Sequence, residues 1–510
     1  CHPLLSRLLW PVPVVTAVNS HVVAVTGEAA TDLVDSLLST AGDKRVDDVR
    51  DECDAHCREP GRRGVIVFRC FGDIPKHLTP RDGCYRAMDG YRNVVLLTVD
   101  ALRADHLSSY GYDRETSPTL DGLAEDGIRF QRAYSQSSHT REAVPAMLTG
   151  RDPDAAVDEQ YLLSADTVAS RLADTEITTG GFHSNPFVSR AYGFDRDFDA
   201  FDDDLHLGQH KLLALAQRAL DKVRNRHYAR ADRINERAFD WLDSRDSERF
   251  FLWNHYMDVH GPYEPPEPYR SRFGDPELSN REAQRLYKRA IDDPESITDE
   301  ERQTLIDLYD GEIAYVDEQI SQFVAGLQDR GLWEETLVLV SADHGDAFGE
   351  HGYYEHPRYL HEELTRVPLL VLGDGVGSSV PSTPASTADL VPTVLSALGV
   401  DTTGLPGDSL LKPAVSAPTE NDRTVFSQAR GEGADDGVRR FAVRDREAAC
   451  FLERDLSDGS ILSEGGDGSR ELSTALREYS RDRVGFGNAT TDAGETEAVS
   501  DRLEALGYKE

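Results

Sequence analysis

An α/β fold built on a large, mixed but mostly parallel sheet flanked by helices is predicted for this 510-residue chain, and three observations predict it. Near-continuous runs of β-branched and leucine residues recur along the chain. Helical patterns separate them, and acidic or histidine residues stand immediately after two of the runs. Hydrophobic residues make up 39% and aromatic residues 8% of the chain, which supplies a buried core and argues against wholesale disorder.

The first run, 93–99 (NVVLLTV), has almost nothing suited to water and so fits a strand covered on both faces, as parallel strands are. The runs 336–342 (TLVLVSA) and 367–372 (VPLLVL) read the same way, and 249–257 (RFFLWNHYM) supplies a fourth strand. Between them, Leu305, Tyr309, Ile313, Val316, Ile320, Phe323 and Leu327 keep helical spacing, so one face of that segment should lie on the sheet. Residues 389–398 read as another helix, stopped at Gly399. This alternation implies a doubly wound layer structure over 88–403. From about residue 404, Gly, Asp and Ser clusters separate short strand candidates at 440–443 and 449–452, which implies a small α+β subdomain over 404–510.

Residues 1–87 differ in kind. They hold 12 acidic and 11 basic residues and five of the six cysteines: Cys1, Cys53, Cys57, Cys70 and Cys84. The first methionine is Met88, five residues before the first strong strand, so the natural chain is expected to start there, after a poorly structured extension. Cys53, Cys57, Cys70 and Cys84 read alternatively as a zinc module, although their spacing fits no strong pattern. The apolar stretch 8–26 is interrupted by Pro11, Pro13, Asn19, Ser20 and His21, which suits neither a spanning helix nor a secretory signal. A cytoplasmic protein with no membrane span is the expectation.

Asp and Glu total 92 against 55 Lys and Arg, a net charge of −37 that repels a phosphate backbone and excludes general nucleic-acid binding. Only seven of the 55 basic residues are lysine. An acidic, lysine-poor surface suits a halophilic protein, because carboxylates stay hydrated and their mutual repulsion is screened in concentrated salt.

In an open parallel sheet the ligand site lies beyond the carboxyl ends of the strands. Asp100 follows the first strand, and Asp343 with His344 follows the 336–342 strand, so all three project from one edge. Two carboxylates and an imidazole there suit a divalent cation, Ca, Mg, Mn or Zn. Alone, Asp100 reads as a cap or turn residue; the pairing of strand ends favours the cation. The segment 138–150 reads as a short helix beginning just after Thr140 and ending at Gly150, with Pro145 near its start. The Thr140 hydroxyl then stands at a helix N-terminus, either as the N-cap or as a metal-activated nucleophile.

Several ordered stretches carry a family resemblance: 93–153, which contains NVVLLTVDALRADHLSSYGYD and SHTREAVPAMLTGRDP, then 183–204 (HSNPFVSRAYGFDRDFDAFDDD) and 250–266 (FFLWNHYMDVHGPYEPP). It continues through 341–371 (SADHGDAFGEHGYYEHPRYLHEELTRVPLLV), 386–409 and the ending RLEALGYK at 502–509. Together they resemble the sulfatase family of the alkaline phosphatase superfamily, over roughly 90–510. The resemblance implies an alkaline phosphatase-like fold in which Asp100, Asp343 and His344 bind the metal and Thr140 occupies the nucleophile position. It implies a substrate-binding or acid/base role for His260, places His356 and Arg358 where relatives face the anionic group, and places Asn185 at the pocket lining.

The sequence departs from the family pattern twice. Formylglycine-dependent members open a C/S-x-P-x-R signature with Cys or Ser, whereas the aligned residues here are Thr140, Arg141, Glu142, Ala143 and Val144. The paired aspartates of many members are Asp100 and Ala101 here. A threonine nucleophile resembles instead the phosphodiesterase and phosphoglycerol-transferase branches. The expected function is metal-dependent hydrolysis of a small anionic sulfate or phosphate ester through Thr140. Transfer of a phosphoryl group to an alcohol and an inactive anion-binding protein are the alternatives. Activity and stability are both expected to rise from low to molar salt, and assays and unfolding curves across a KCl series check this: flat or falling responses contradict it.

Overall fold

The computed structural model describes residues 90–204, 228–274, 277–411, 423–481, 483 and 500, with the backbone of four short strands before residue 90. Two compact units are present, Cys1–Asp89 and Gly90–Glu510. The first carries an antiparallel sheet in the order Val15–Val18, Val22–Thr26, Val65–Cys70, Cys53–Ala55. Cys57 and Cys84 of the suggested zinc module, and the 502–509 ending, lie outside the described residues.

The second unit holds the predicted sheet. Its strands are β1 (Asn93–Val99), β2 (Ile128–Arg129), β3 (Thr178–His183), β4 (Ala200–Asp202), β5 (Phe250–Tyr256), β6 (Thr336–Ala342) and β7 (Leu369–Leu372). Their spatial order is β2-β7-β6-β1-β5-β3-β4. Strands β6, β1, β5, β3 and β4 run parallel, while β7 and β2 pair antiparallel at one edge. Every residue of β1, β5 and β6 is buried, which is why their sequences read as unbroken apolar runs.

Strand β3 (TTGGFH) has no such signature, and its glycines explain both its obscurity and its position. A Cβ on Gly180 would lie 3.0 Å from the Trp241 ring, and one on Gly181 would lie 3.0 Å from Phe201. Bulky rings close over this strand because two of its residues have no side chain.

The helices include α1 (Thr140–Thr149), α2 (Ala231–Ser244), α3 (Asp299–Asp329), α4 (Leu390–Ala397) and α5 (Arg470–Arg481). Helix α3 opens with a reciprocal cap: the Glu301 amide donates to Thr298 Oγ1 (3.2 Å) and the Thr298 amide donates to Glu301 Oε2 (3.1 Å). Its seven predicted face residues are all buried. Helix α4 ends where expected, with Gly399 in the left-handed region at φ 75°.

After residue 411, β8 (Val425–Arg430), β9 (Val438–Arg444), β10 (Ala449–Asp455) and β11 (Ile461–Gly466) form an antiparallel meander, longer than the two short strands foreseen. Leu472 and Leu476 of α5 pack on Phe441, Val443 and Leu452. The meander is tied to the main sheet ahead of α1: Ser427 Oγ donates to the Ser135 carbonyl (2.6 Å) and the Gln428 amide to the Gln136 carbonyl (2.8 Å). Among the described residues, no helix is long and apolar enough to cross a membrane.

Phe323 of α3 is fully buried and stacks on Phe239 with ring centroids 5.0 Å apart. Its replacement by alanine, which leaves a ring-sized cavity, is expected to cost about 3–5 kcal/mol in a urea unfolding titration.

Candidate active site

Strand register builds the site. Val99 stands opposite Ala342 in the β1–β6 pair, so the next residue of each strand, Asp100 and Asp343, emerge side by side. On the other flank His255 of β5 stands opposite Thr98 of β1 and opposite His183 of β3. The chain leaving β3 reaches Asn185, whose Nδ2 donates to Asp100 Oδ2 (2.6 Å). His255 Nε2 lies 3.3 Å from the same oxygen, a contact the sequence did not reveal because His255 sits inside a strand rather than after one.

The turn after Asp100 is strained and firmly held. Ala101 adopts φ 58°, a conformation that costs a residue with a Cβ about 1–3 kcal/mol. Its amide donates to Asp343 Oδ1 (3.2 Å), and its carbonyl accepts from Tyr309 Oη of α3 (2.7 Å). Tyr309 Oη also accepts from the Arg103 amide (2.8 Å), so one helix hydroxyl clamps both sides of the turn. On the other strand end, Gly345 has no room for a side chain: a Cβ there would lie 2.1 Å from the Glu363 carbonyl oxygen.

Thr140 is the first residue of α1 and not, as expected, the residue before it. His139 caps the helix instead, its Nδ1 accepting from the Arg141 amide (3.2 Å). Because the neighbouring ring does the capping, Thr140 Oγ1 turns to His344 Nε2, 3.1 Å away. His344 Nδ1 lies 3.1 Å from the Gly345 carbonyl, which only accepts; the proton of the neutral ring is therefore assigned to Nδ1, and Nε2 offers a lone pair.

His344 Nε2 lies 3.5 Å from Asp100 Oδ1 and 3.6 Å from Asp343 Oδ2, and both carboxylate oxygens are buried without a hydrogen bond. Hard oxygen and nitrogen donors at these separations fit one divalent cation bonded to each at about 2.1 Å. Burial raises the Asp100 carboxyl, but His260, His255 and His344 outweigh it and hold the group below the usual carboxylate range. Asp343 is pushed up, first by burial and then by the Asp100 charge, with His344, His255 and the Thr140 hydroxyl opposing. Burial lowers His344 and keeps its imidazole neutral.

A second shell of rings surrounds this group. The ring centroid of His356 lies 4.4 Å from that of His344 and 4.9 Å from that of His260. Burial alone would lower His356, but its bond to Asp346 (Nδ1 to Oδ1, 2.8 Å) dominates and pushes it up to about 9. Asp346 Oδ2 accepts from Tyr263 Oη (2.7 Å), so both carboxylate oxygens are engaged and Asp346 with His356 forms a closed ion pair. His260 Nδ1 faces the Gly261 carbonyl at 2.6 Å. Arg358 is brought to the flank of α1: Nη1 donates to Glu142 Oε1 (3.0 Å) and Nε to Glu432 Oε2 (3.1 Å).

The structure thus gathers Asp100, Thr140, Asn185, Asp343 and His344 around one point, with His260 and His356 beside them. Arg358 spends its charge on two carboxylates. His139, His255, Tyr263, Tyr309 and Asp346 escaped sequence reasoning, although all but Tyr309 lie within the stretches that carry the family resemblance.

A family model described as Sulfatase matches residues 92–400. An arylsulfatase of Clostridium perfringens (strain 13 / Type A) is 23% identical over 331 residues, 56% of this chain and 69% of the relative. Arylsulfatase K of Danio rerio is 38% identical over 162 residues, 31% of each chain. Among solved structures, the phosphonate monoester hydrolase of Agrobacterium radiobacter superposes with a TM-score of 0.56 at 18% identity, covering 82% of this chain and 97% of its own. A structure in complex with its substrate D-glucosamine-2-N,6-O-disulfate gives 0.58 at 18% identity, covering 80% and 100%. These structural likenesses carry the fold. The family match runs from the central strand to the end of the last helix flanking the sheet, and the chain belongs to the sulfatase family, whose members hydrolyse esters.

Proposed function

We propose that this enzyme hydrolyses a singly charged sulfate or phosphate ester, with Thr140 as nucleophile and Asp100, Asp343 and His344 as the ligands of one divalent cation. The observation that carries the reading is the convergence of Thr140 Oγ1, His344 Nε2 and two buried carboxylate oxygens without hydrogen bonds. A cation bound there supplies charge neutralisation and lowers the pKa of a coordinated hydroxyl. Thr140 gives its hydroxyl proton to solvent, and Oγ1 attacks sulfur or phosphorus, forming the Oγ1–S or Oγ1–P bond as the bond to the departing alkoxide breaks. In this reading His260, on the loop after β5, gives a proton to that alkoxide. Water then releases the anion from Thr140.

The preference for a single negative charge follows from charge pairing. His356 is held by Asp346, and Arg358 by Glu142 and Glu432. Little uncompensated positive charge faces the substrate, which favours a sulfate monoester or a phosphate diester over a doubly charged phosphate monoester. Such a charge balance, with Val144 where relatives place arginine, sets this pocket apart from a formylglycine site.

With 4-nitrophenyl sulfate, bis(4-nitrophenyl) phosphate and 4-nitrophenyl phosphate as substrates, one of the first two is expected to exceed the third in kcat/KM by about tenfold or more. Thr140→Ala is expected to lower kcat by about 10³-fold or more, and chelation to abolish turnover until Mn, Mg, Ca or Zn is restored. No turnover with any of these ions, unaffected by Thr140→Ala, identifies an inactive anion-binding protein. An alcohol adduct formed when glycerol is added identifies a transferase. Tyr309→Phe, which unclamps the turn behind Asp100, is expected to raise the cation concentration for half-maximal activity by about tenfold at constant fold, read by circular dichroism.

A further inference from the structure

A cavity of about 600 Å³ lies between the β2–β7 edge of the central sheet and the C-terminal meander, away from the Thr140 pocket. Tyr134 forms its wall and is 3% exposed. Burial raises the Tyr134 hydroxyl, Glu362 adds to the effect, and Arg444, Arg132 and Arg366 oppose it, so three guanidinium groups gather about one hydroxyl. In a chain of net charge −37 this lining is charge-balanced, with Arg132, Arg366 and Arg444 against Glu362, Glu447 and Asp467.

Arg444 is 1% exposed and lies over Tyr134 (4.8 Å) and Phe451 (5.4 Å). Its Nε donates to Glu362 Oε1 (3.1 Å) and its Nη2 to Thr365 Oγ1 (3.0 Å) and the Leu360 carbonyl. Its Nη1 is buried without a hydrogen bond, as is Nε of Arg366. A buried charged donor left unmatched is costly, and planar guanidinium forks match oxyanions. Two acidic residues on the rim, Glu447 and Asp467, are exposed, and Asp467 Oδ1 already accepts from the Ala449 amide (2.9 Å). Water screens them far more than the buried arginine.

We propose that this cavity is a second anion-binding site, which takes a small organic molecule bearing a carboxylate, phosphate or sulfate group on the Arg132, Arg366 and Arg444 guanidiniums. Its volume exceeds that of an inorganic oxyanion and falls within the range of small-molecule pockets, about 300–1,000 Å³.

The test uses 4-bromophenylphosphonate with the intact enzyme. Anomalous scattering from soaked crystals is expected to place bromine in this cavity, and bromine found only beside Thr140 overturns the assignment. By calorimetry, Arg132→Ala and Arg366→Ala are each expected to weaken this binding event by about tenfold or more while leaving ester hydrolysis unchanged. Both side chains are only half-buried, so the variants fold; Arg444 is left intact because Glu362 depends on it. Unchanged affinity in both variants, or equal affinity for neutral 4-bromobenzyl alcohol, overturns the proposal.

Discussion

The structure depends on the register of two parallel strands. With Val99 opposite Ala342, two fully buried carboxylates leave neighbouring strand ends side by side. Like charges so placed repel strongly in a low-dielectric surrounding, and they persist only where positive groups and donors compensate. Asn185 and His255 act on one oxygen of Asp100, and the Ala101 and His344 amides act on one oxygen of Asp343. Each carboxylate keeps its second oxygen for the shared space, so the protein spends fixed donors on holding the pair and leaves the inner pair of oxygens unmatched. The proposed cation would match that imbalance.

The orientation of the Thr140 hydroxyl rests on a smaller substitution of roles. Threonine at a helix start ordinarily bonds its own backbone amides, which would draw the hydroxyl away from the strands. His139 takes over that bond, and burial together with the Arg358 charge lowers its pKa, so the ring stays neutral and able to accept. The direction of the Thr140 hydroxyl thus follows from capping by the preceding residue. The clamp from Tyr309 has a similar logic on the opposite side, where a hydroxyl on the longest helix restrains a turn whose backbone an alanine adopts only at a cost.

The central strands were legible because burial on both faces leaves no polar position to break the run; 93–99 and 336–342 match the observed strands in full. Their ends marked Asp100, Asp343 and His344 for the same reason, since a polar residue after such a run has only the sheet edge to occupy. Strand β3 was not legible, because glycines selected for ring packing carry no strand propensity. His255 was hidden by its place inside a strand, where a histidine ordinarily reads as core. The partners of Arg358 were hidden by distance: Glu142 and Glu432 are 216 and 74 residues away, and a guanidinium's counterion is fixed by tertiary contact rather than by any local pattern. The α1 boundary differed by one residue because a histidine cap has no strong sequence signature.

The C-terminal meander is an integral part of the helix that carries Thr140. Glu142 on that helix is fully buried; besides Ser137 and Arg358, it accepts from the Arg430 amide of the meander, and Arg358 in turn relies on Glu432. The buried acid two residues after Thr140 is therefore fully matched only when a strand 288 residues further along the chain has docked against its helix, so the setting of that helix start is a long-range property of the folded chain.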